Sequence, residues 1–328
     1  MNLSIAYNYF KRIWRELSQL SKLTGYSRFY HLWDYLTAFV RHGAHIRQYI
    51  IGDFWRLSNA ERSRRVTHYR MIKLEKAYND PKYVHFLRNK KEFIEFFPEF
   101  VHRGWMSVKD QSYDAFVAFL TKYGSIIIKP KDGMQGEGVR KFVFTGQSDD
   151  ELHHLYDELT AQDALIEECL KQHPDMVFGS SSLNTIRAMT LCRPDGKARV
   201  MKALLRAGVG NTFVDNYAMG GLIYEVDLET GVISSYGKTK SGEKHLVHPQ
   251  TDIVMLGYQI PKWDQVMALV VRAAEKLPQV GFIGWDVAIT PDDIQLIEGN
   301  NSADYEFYEY LGTSGYYEKI KNFLAGKE

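Results

Sequence analysis

Apolar positions in the first 85 residues recur at three- to four-residue intervals, as in Ile5, Tyr9, Ile13 and Leu17 and again in Trp33, Leu36, Phe39 and Val40. That spacing predicts helices with one buried face, so both stripes are read as core contacts. Docking of the first helix at a membrane interface is the alternative, because the same amphipathicity serves either purpose. A turn at Asn79-Asp80-Pro81 follows, then helical patterns over Val84 to Phe100 and Ser112 to Tyr123. From there the period changes. Ile126-Ile127-Ile128 reads as a short buried strand that Lys129-Pro130 ends, and Lys141 to Phe144 reads as its return. Asp149 to Leu159 is helical, and Ala164 to Leu170 is a strand running into a polar connection from Lys171 to Asp175. Thr185 to Arg193 and Ala198 to Arg206 form a hairpin around Pro194-Asp195-Gly196, and Ala218 to Asp227 continues the extended pattern. A polar loop from Ser234 to Asp252 precedes an amphipathic helix, Asp264 to Leu277, and a last hairpin pairs Phe282 to Ile289 with Ile294 to Gly299. Helices first and strands later predict an α+β protein.

The stretch IIIKPKDGMQGEGV, Ile126 to Val139, holds Gly133, Gly136 and Gly138 directly after a strand and a lysine. Glycines this dense let successive N–H groups converge on an anion, and the lysine adds charge. Two common phosphate loops are excluded by spacing. A Walker loop would place Lys-Ser/Thr after Gly138, where Val139-Arg140 stands, and a dinucleotide fingerprint from Gly136 would need Gly or Ala at Lys141. What remains is a strand, a glycine flap and a return strand over a nucleotide, or an ordinary glycine-rich hairpin.

Composition narrows the class. The 328 residues, 45% hydrophobic and 25% charged, suit a soluble globular protein with more than one compact unit. Neither a secretory leader nor an apolar run long enough to span a membrane is expected, and two cysteines without metal-ligand spacing suit a reducing cytoplasm. The net charge of +1 hides an asymmetry: residues 1–110 carry 20 Lys and Arg against 10 Asp and Glu, a net of +10, and the rest carries −9. A basic front half suits an anionic surface or an acidic substrate, or is a solvated helical face. Nucleic-acid binding is not expected, because the basic excess is spread over helices without a recognised module.

Asp286 sits among apolar strand residues, and Glu298 stands near the end of the next strand with Asn300 on the same face. A buried carboxylate needs a cation, an arginine or a proton, and an oxygen set of this kind suits Mg²⁺ held between protein and phosphates. Asp286 as a turn cap and Asn300 as plain loop is the alternative. Pairing Asp286 with Glu298 requires a hairpin loop of odd length centred on Asp292. In the earlier hairpin Lys202, Leu204 and Arg206 share a face, so two cations could point into one cleft.

In combination, KPKDGMQGEGV, SLNTIRAMT, DNYAMGGLIYEVD, GWDVAI and IEGNN resemble the ATP-grasp superfamily, and more narrowly its sugar-transfer associated group. The resemblance spans about Lys90 to Ser302. It implies an ATP-grasp fold, two α+β subdomains sandwiching ATP, at residues 86–160 with the flap and 161–328 with the metal site, preceded by a helical region at 1–85. It implies that Lys90 and Lys129 hold phosphates, with Lys91 as a substitute for Lys90, and that Gly133, Gly136 and Gly138 form the flap. Glu167, Glu168, Cys169 and Leu170 would be the adenine hinge, and Asp286, Glu298 and Asn300 the Mg²⁺ ligands. Arg187 would face the γ-phosphate or an acyl phosphate and, with Lys129, Lys202 and Arg206, completes the catalytic candidates. Only His173 and Asp175 stand where a ribose-binding carboxylate is expected, so that contact stays open. The implied activity is an ADP-forming ligase joining a small carboxylate to an amine in surface polysaccharide or secondary metabolite synthesis. The alternatives are a small-molecule kinase on the same site and a noncatalytic nucleotide-binding assembly protein.

Overall fold

The structure is a computed structural model that describes residues 3–130, 138–210, 221–239, 243–302 and 315–327. The chain divides into two compact units, one made of Met1–Tyr78 with Asp304–Glu328 and one of Asn79–Ala303.

The first unit is helical. Ser27 caps the helix Arg28–His42 by accepting from the Tyr30 N–H, and Gly43 ends it at φ 69°, a left-handed conformation that glycine adopts without strain. Its core gathers Ile13, Leu17, Leu20, Tyr35, Ala38, Ala44, Ile46, Tyr49 and Phe54. The first sequence stripe is thus partly core, through Ile13 and Leu17. The second reaches the core only through the partly buried Phe39, and the expectation fails for the rest: Trp33, Leu36 and Val40 are exposed, and the helix instead buries His31, Tyr35, Ala38 and His42. Partners for the buried polar groups decide which face turns inward. His31 hydrogen-bonds to Thr24 and Tyr49, while Asp34 accepts from Tyr49 at 2.8 Å and from two Arg62 nitrogens at 2.9 and 2.8 Å.

The second unit holds eleven strands among its described residues: β1 (Trp105–Ser107), β2 (Ser125–Lys129), β3 (Arg140–Val143), β4 (Leu165–Glu168), β5 (Thr185–Cys192), β6 (Ala198–Ala207), β7 (Leu222–Val226), β8 (Gly237–Lys238), β9 (Lys244–His245), β10 (Phe282–Ile289) and β11 (Ile294–Asn300). They form a small sheet in the order β1-β4-β2-β3 and a larger one in the order β11-β10-β5-β6-β7-β8-β9. In the small sheet Ile126, Ile128 and Ile166 pack on Phe116 and Leu120 of one helix and Leu152, Leu155 and Leu159 of another. The triple isoleucine therefore serves as a half-buried strand, because Ile127 turns to the other face. In the larger sheet Ile186, Ala188, Ala203, Leu205, Tyr224, Trp285 and Val287 pack on the helix Trp263–Lys276 through Val266, Val270 and Ala273. Each sheet thus covers one face with helices and turns a buried ion pair, Lys129 with Glu167 or Arg187 with Asp286, to the other. The predicted helix from Val84 to Phe100 is broken into His85–Arg88, Lys90–Phe96 and a 3₁₀ turn, because Asn89 leaves the helical region and caps the second piece.

Candidate active site

On the small sheet, Lys129 ends β2 and its ammonium donates to both oxygens of Glu167 at 2.7 Å. Glu167 is buried and is also held by the Arg103 guanidinium. Burial alone would push this carboxyl up, but Arg103 and then Lys129 outweigh it and hold it near about 2. Arg103 donates further to the carbonyls of Leu296 at 2.6 Å and Ile297 at 3.1 Å. One buried guanidinium thus ties the lysine site of the small sheet to β11 of the larger one. No motif marks Arg103 in the sequence, since its function is set by what lies across the fold. The only hint is a charge amid the apolar neighbours Val101 and Trp105.

Lys90 reaches the end of β2 and donates to the Pro130 carbonyl at 3.0 Å, whereas Lys91 pairs with Asp110 at 2.6 Å. Lys90 therefore stands beside Lys129's strand end and Lys91 is turned toward Asp110. Gly133 and Gly136 lie outside the described residues. Gly138 is described at φ 72°, and a Cβ there would come within 2.8 Å of the Pro130 ring, so only glycine suits this return into β3.

In β4 the Glu167 backbone lies between β2 and β1 in the ladder. The pairing continues at the next residues, with Ile126 opposite Glu168. Glu168 and Cys169 donate their N–H groups to the carbonyls of Gly104 at 2.8 Å and Ser125 at 3.1 Å, and Gly104 returns its own N–H to the Glu168 side chain at 3.0 Å. His173 then donates its N–H to the Ile289 carbonyl, which fixes the connection after Leu170 against β10.

The larger sheet carries a row across five strands, Glu298, Asp286, Arg187, Leu204 and Glu225, each opposite the next and so on one face. Asp286 is buried and both its oxygens are engaged, by Arg187 and by Arg206 at 2.8 Å. Burial would raise this carboxyl, but Arg187 and then Arg206 bring it down to about 2. Glu298 is exposed at its tip, and the protein atoms crowded around its carboxyl, followed by the charge of Asp286, raise its pKa. Asn300 donates to Glu298 Oε1 at 3.1 Å. Lys202 and Arg206 both reach this row, at different carboxylates: Lys202 pairs with buried Glu225 at 3.3 Å, and Arg206 with Asp286. Among the described residues no three His, Cys, Asp or Glu side chains converge as a metal site.

The pairing of Asp286 with Glu298 is present, but not for the expected reason. Ile289 pairs with Ile294, which encloses an even loop of Thr290 to Asp293 and would place Trp285 opposite Glu298. A register shift restores the pair, because Val287 faces Leu296 while Asp286 faces Glu298, leaving Ile297 as the extra residue of a bulge. It is the carbonyl of Ile297 that Arg103 holds. Gly299 lies between Glu298 and Asn300 with its Cα against Leu87, Trp285 and Phe93, where a Cβ would fall 2.8 to 3.2 Å from their side chains. Glycine here lets the Lys90-bearing segment sit on β11.

A lysine at a strand end before a glycine-rich segment, and a carboxylate row on a second antiparallel sheet of the same unit, define an ATP-grasp fold with a helical region ahead of it. The chain belongs to the sugar-transfer associated ATP-grasp family, whose pattern it matches over residues 69–324. No curated protein matches it. Among solved structures it is similar to the ATP-grasp ligase PsnB complexed with a phosphomimetic variant of a minimal precursor, Mg and ADP, with 17% identity, 79% of this chain and 65% of that chain covered, and a TM-score of 0.45. The chain thus spans just under two thirds of PsnB. It is also similar to the biotin carboxylase domain of Hydrogenobacter thermophilus 2-oxoglutarate carboxylase in complex with MgADP, ADP and bicarbonate, with 13% identity, 75% and 47% coverage and a TM-score of 0.45. The ADP complex of the N5-carboxyaminoimidazole ribonucleotide synthetase PurK gives 12% identity, 72% and 51% coverage and a TM-score of 0.45. Among the described residues no helix is long and apolar enough to cross a membrane.

Proposed function

We propose that the chain is an ATP-dependent, ADP-forming ligase that joins a small carboxylate to an amine through an acyl phosphate. The observation that carries this reading is the Arg103 bridge, which fixes a lysine–glutamate pair of one sheet to the strand bearing Glu298 and Asn300. Lys90 and Lys129 take the role of phosphate holders. Lys129 and Arg103 share a single carboxylate, so the cluster keeps an excess positive charge for phosphate oxygens. The Glu168 carbonyl and Leu170 N–H suit the adenine edge, since the Glu168 and Cys169 N–H groups are spent inside the fold and Gly104 donates to the Glu168 side chain.

Asp286 stands opposite Glu298 across the strand pair, and Asn300, donating through Nδ2, keeps its amide oxygen for a cation at Glu298. Glu298 and Asn300 therefore fit Mg²⁺, which would supply charge neutralisation to phosphate oxygens. Asp286, already held at both oxygens by Arg187 and Arg206, ranks behind Glu298 and Asn300 as a ligand. Arg187 and Arg206, both held by Asp286 beside Glu298, take the role of stabilising the negative charge that develops as the phosphoryl group moves. The carboxylate takes the γ-phosphoryl group with release of ADP, and the amine then displaces phosphate at the acyl carbon with loss of a proton. The chain's contribution is positioning and electrostatics, and no side-chain nucleophile is required.

The test is ADP release with Mg-ATP, hydroxylamine and pooled carboxylates, with products identified by mass. Wild type should give hydroxamates, and Glu298→Gln should lower turnover by about two orders of magnitude or more with the fold intact. A phosphorylated alcohol from a pool that includes alcohols would select a kinase instead. Wild-type rates from Glu298→Gln would overturn the assigned metal site.

A further inference from the structure

The helical unit exposes an aromatic face that its own core does not use. On the helix Arg28–His42, Phe29, Trp33, Leu36 and Val40 recur at four- and three-residue steps, which puts them on one side, and Phe29, Trp33 and Val40 are 72%, 76% and 78% exposed. The face continues onto the helix Leu3–Thr24, where Phe10 stacks on Trp14 at 6.3 Å and Trp14 meets Phe29 edge-on at 5.9 Å. Four large rings thus form a band across two helices. Monomeric proteins seldom leave such contiguous apolar surface open without a use for it.

The charges around the band are of one sign. Lys11, Arg15, Lys22, Arg28 and Arg41 are exposed, and Arg28 lies over the Trp14 ring at 5.1 Å. The two acidic residues of these helices are both neutralised within the unit, Glu16 by Arg12 at 2.9 Å and Asp34 by Arg62 at 2.8 Å. Tryptophan and phenylalanine flanked by lysine and arginine on a helix surface match the chemistry of a bilayer interface, with rings at headgroup depth and cations on phosphate. A second copy of the same face would bring like charges together, which disfavours self-association.

We propose that this face docks the protein on an anionic lipid surface, with the Arg28–His42 helix lying in the interface plane. The ring band enters the headgroup region and the surrounding cations hold the acidic lipids. The binding is peripheral, in keeping with the absence, among the described residues, of any helix able to span a bilayer.

The experiment is sedimentation of the full chain with vesicles of phosphatidylcholine alone or with about one third phosphatidylserine, at low and high salt. The double variant Phe29→Ser/Trp33→Ser and the charge variant Arg15→Glu/Arg28→Glu are compared with wild type, all checked for unchanged thermal unfolding. Wild type should bind the anionic vesicles and release in high salt. Each variant should bind roughly tenfold more weakly or less. Failure of wild type to bind anionic vesicles, or undiminished binding by Phe29→Ser/Trp33→Ser, overturns the proposal. So does a concentration-dependent dimer that this variant abolishes, or a protein partner captured through the face by a chain that ignores vesicles.

Discussion

Replacing Arg103 by methionine removes a guanidinium whose side chain is 1% exposed and which meets Glu167 and the carbonyls of Leu296 and Ile297. Glu167 then keeps Lys129 alone. The Glu167 carboxyl is held down from 4.5 to about 2 because its two cations outweigh the opposing effect of burial, so this displacement is the net of the two. That displacement is worth roughly 3 kcal/mol. With Lys129 retaining part of that, loss of the charge pair costs about 2 kcal/mol, and two carbonyls stripped of a donor add about 1 kcal/mol each. The Arg103→Met protein should therefore lose about 3 to 4 kcal/mol in urea unfolding followed by tryptophan fluorescence. Glu167→Gln alone leaves Arg103 and Lys129 adjacent without their carboxylate and should also be costly. The double variant removes both halves of the pair, so it should be less destabilised than the singles added together, by at least about 1.5 kcal/mol. A loss under about 1 kcal/mol for Arg103→Met, or additivity within about 0.5 kcal/mol, would refute the clamp.

Acid should act through the same groups. Glu167 and Asp286 have depressed pKa values, falling to about 2 from 4.5 and 3.8, so the stability they confer is complete above the unfolded values and is lost as pH falls toward about 2. Thermal unfolding should drop steeply over that window, and less so in Glu167→Gln; an equal slope in that variant would contradict the pairing. Gly299→Ala forces a methyl against Leu87, Trp285 and Phe93 and should cost about 1 to 3 kcal/mol while displacing Asn300, so stability and Mg-ATP turnover should fall together. Lys129→Ala should raise the ATP concentration needed for half-maximal turnover by tenfold or more, as expected for one lost charge-assisted contact. An unchanged ATP requirement would assign Lys129 to structure alone.

The elements and the family were legible in the sequence because they rest on local signals. Strand length and β-branching marked Ile126 to Ile128, turn residues marked the two hairpins, and the order of Lys129, the glycines, Arg187, Asp286, Glu298 and Asn300 marked the class. What only the tertiary structure decided depends on groups far apart in the chain. Trp33 and Val40 had the spacing of core residues, but the Asp34–Arg62–Tyr49 network and buried His31 turned the opposite face inward. Periodicity shows that a helix has two faces; the partners of its polar residues choose between them. Likewise the sequence brought Asp286 and Glu298 together only through a loop of odd length, whereas the chain uses an even loop and recovers the register with a bulge at Ile297. A bulge is one residue of backbone with no side-chain signature. Its stabilising partner, Arg103, lies 194 positions away along the chain, beyond any window of local pattern. The sequence by itself therefore determined which chemical groups the protein carries and in what order. The tertiary structure decided which of them are neutralised by one another and which face solvent, because a charge's state depends on its neighbours in space.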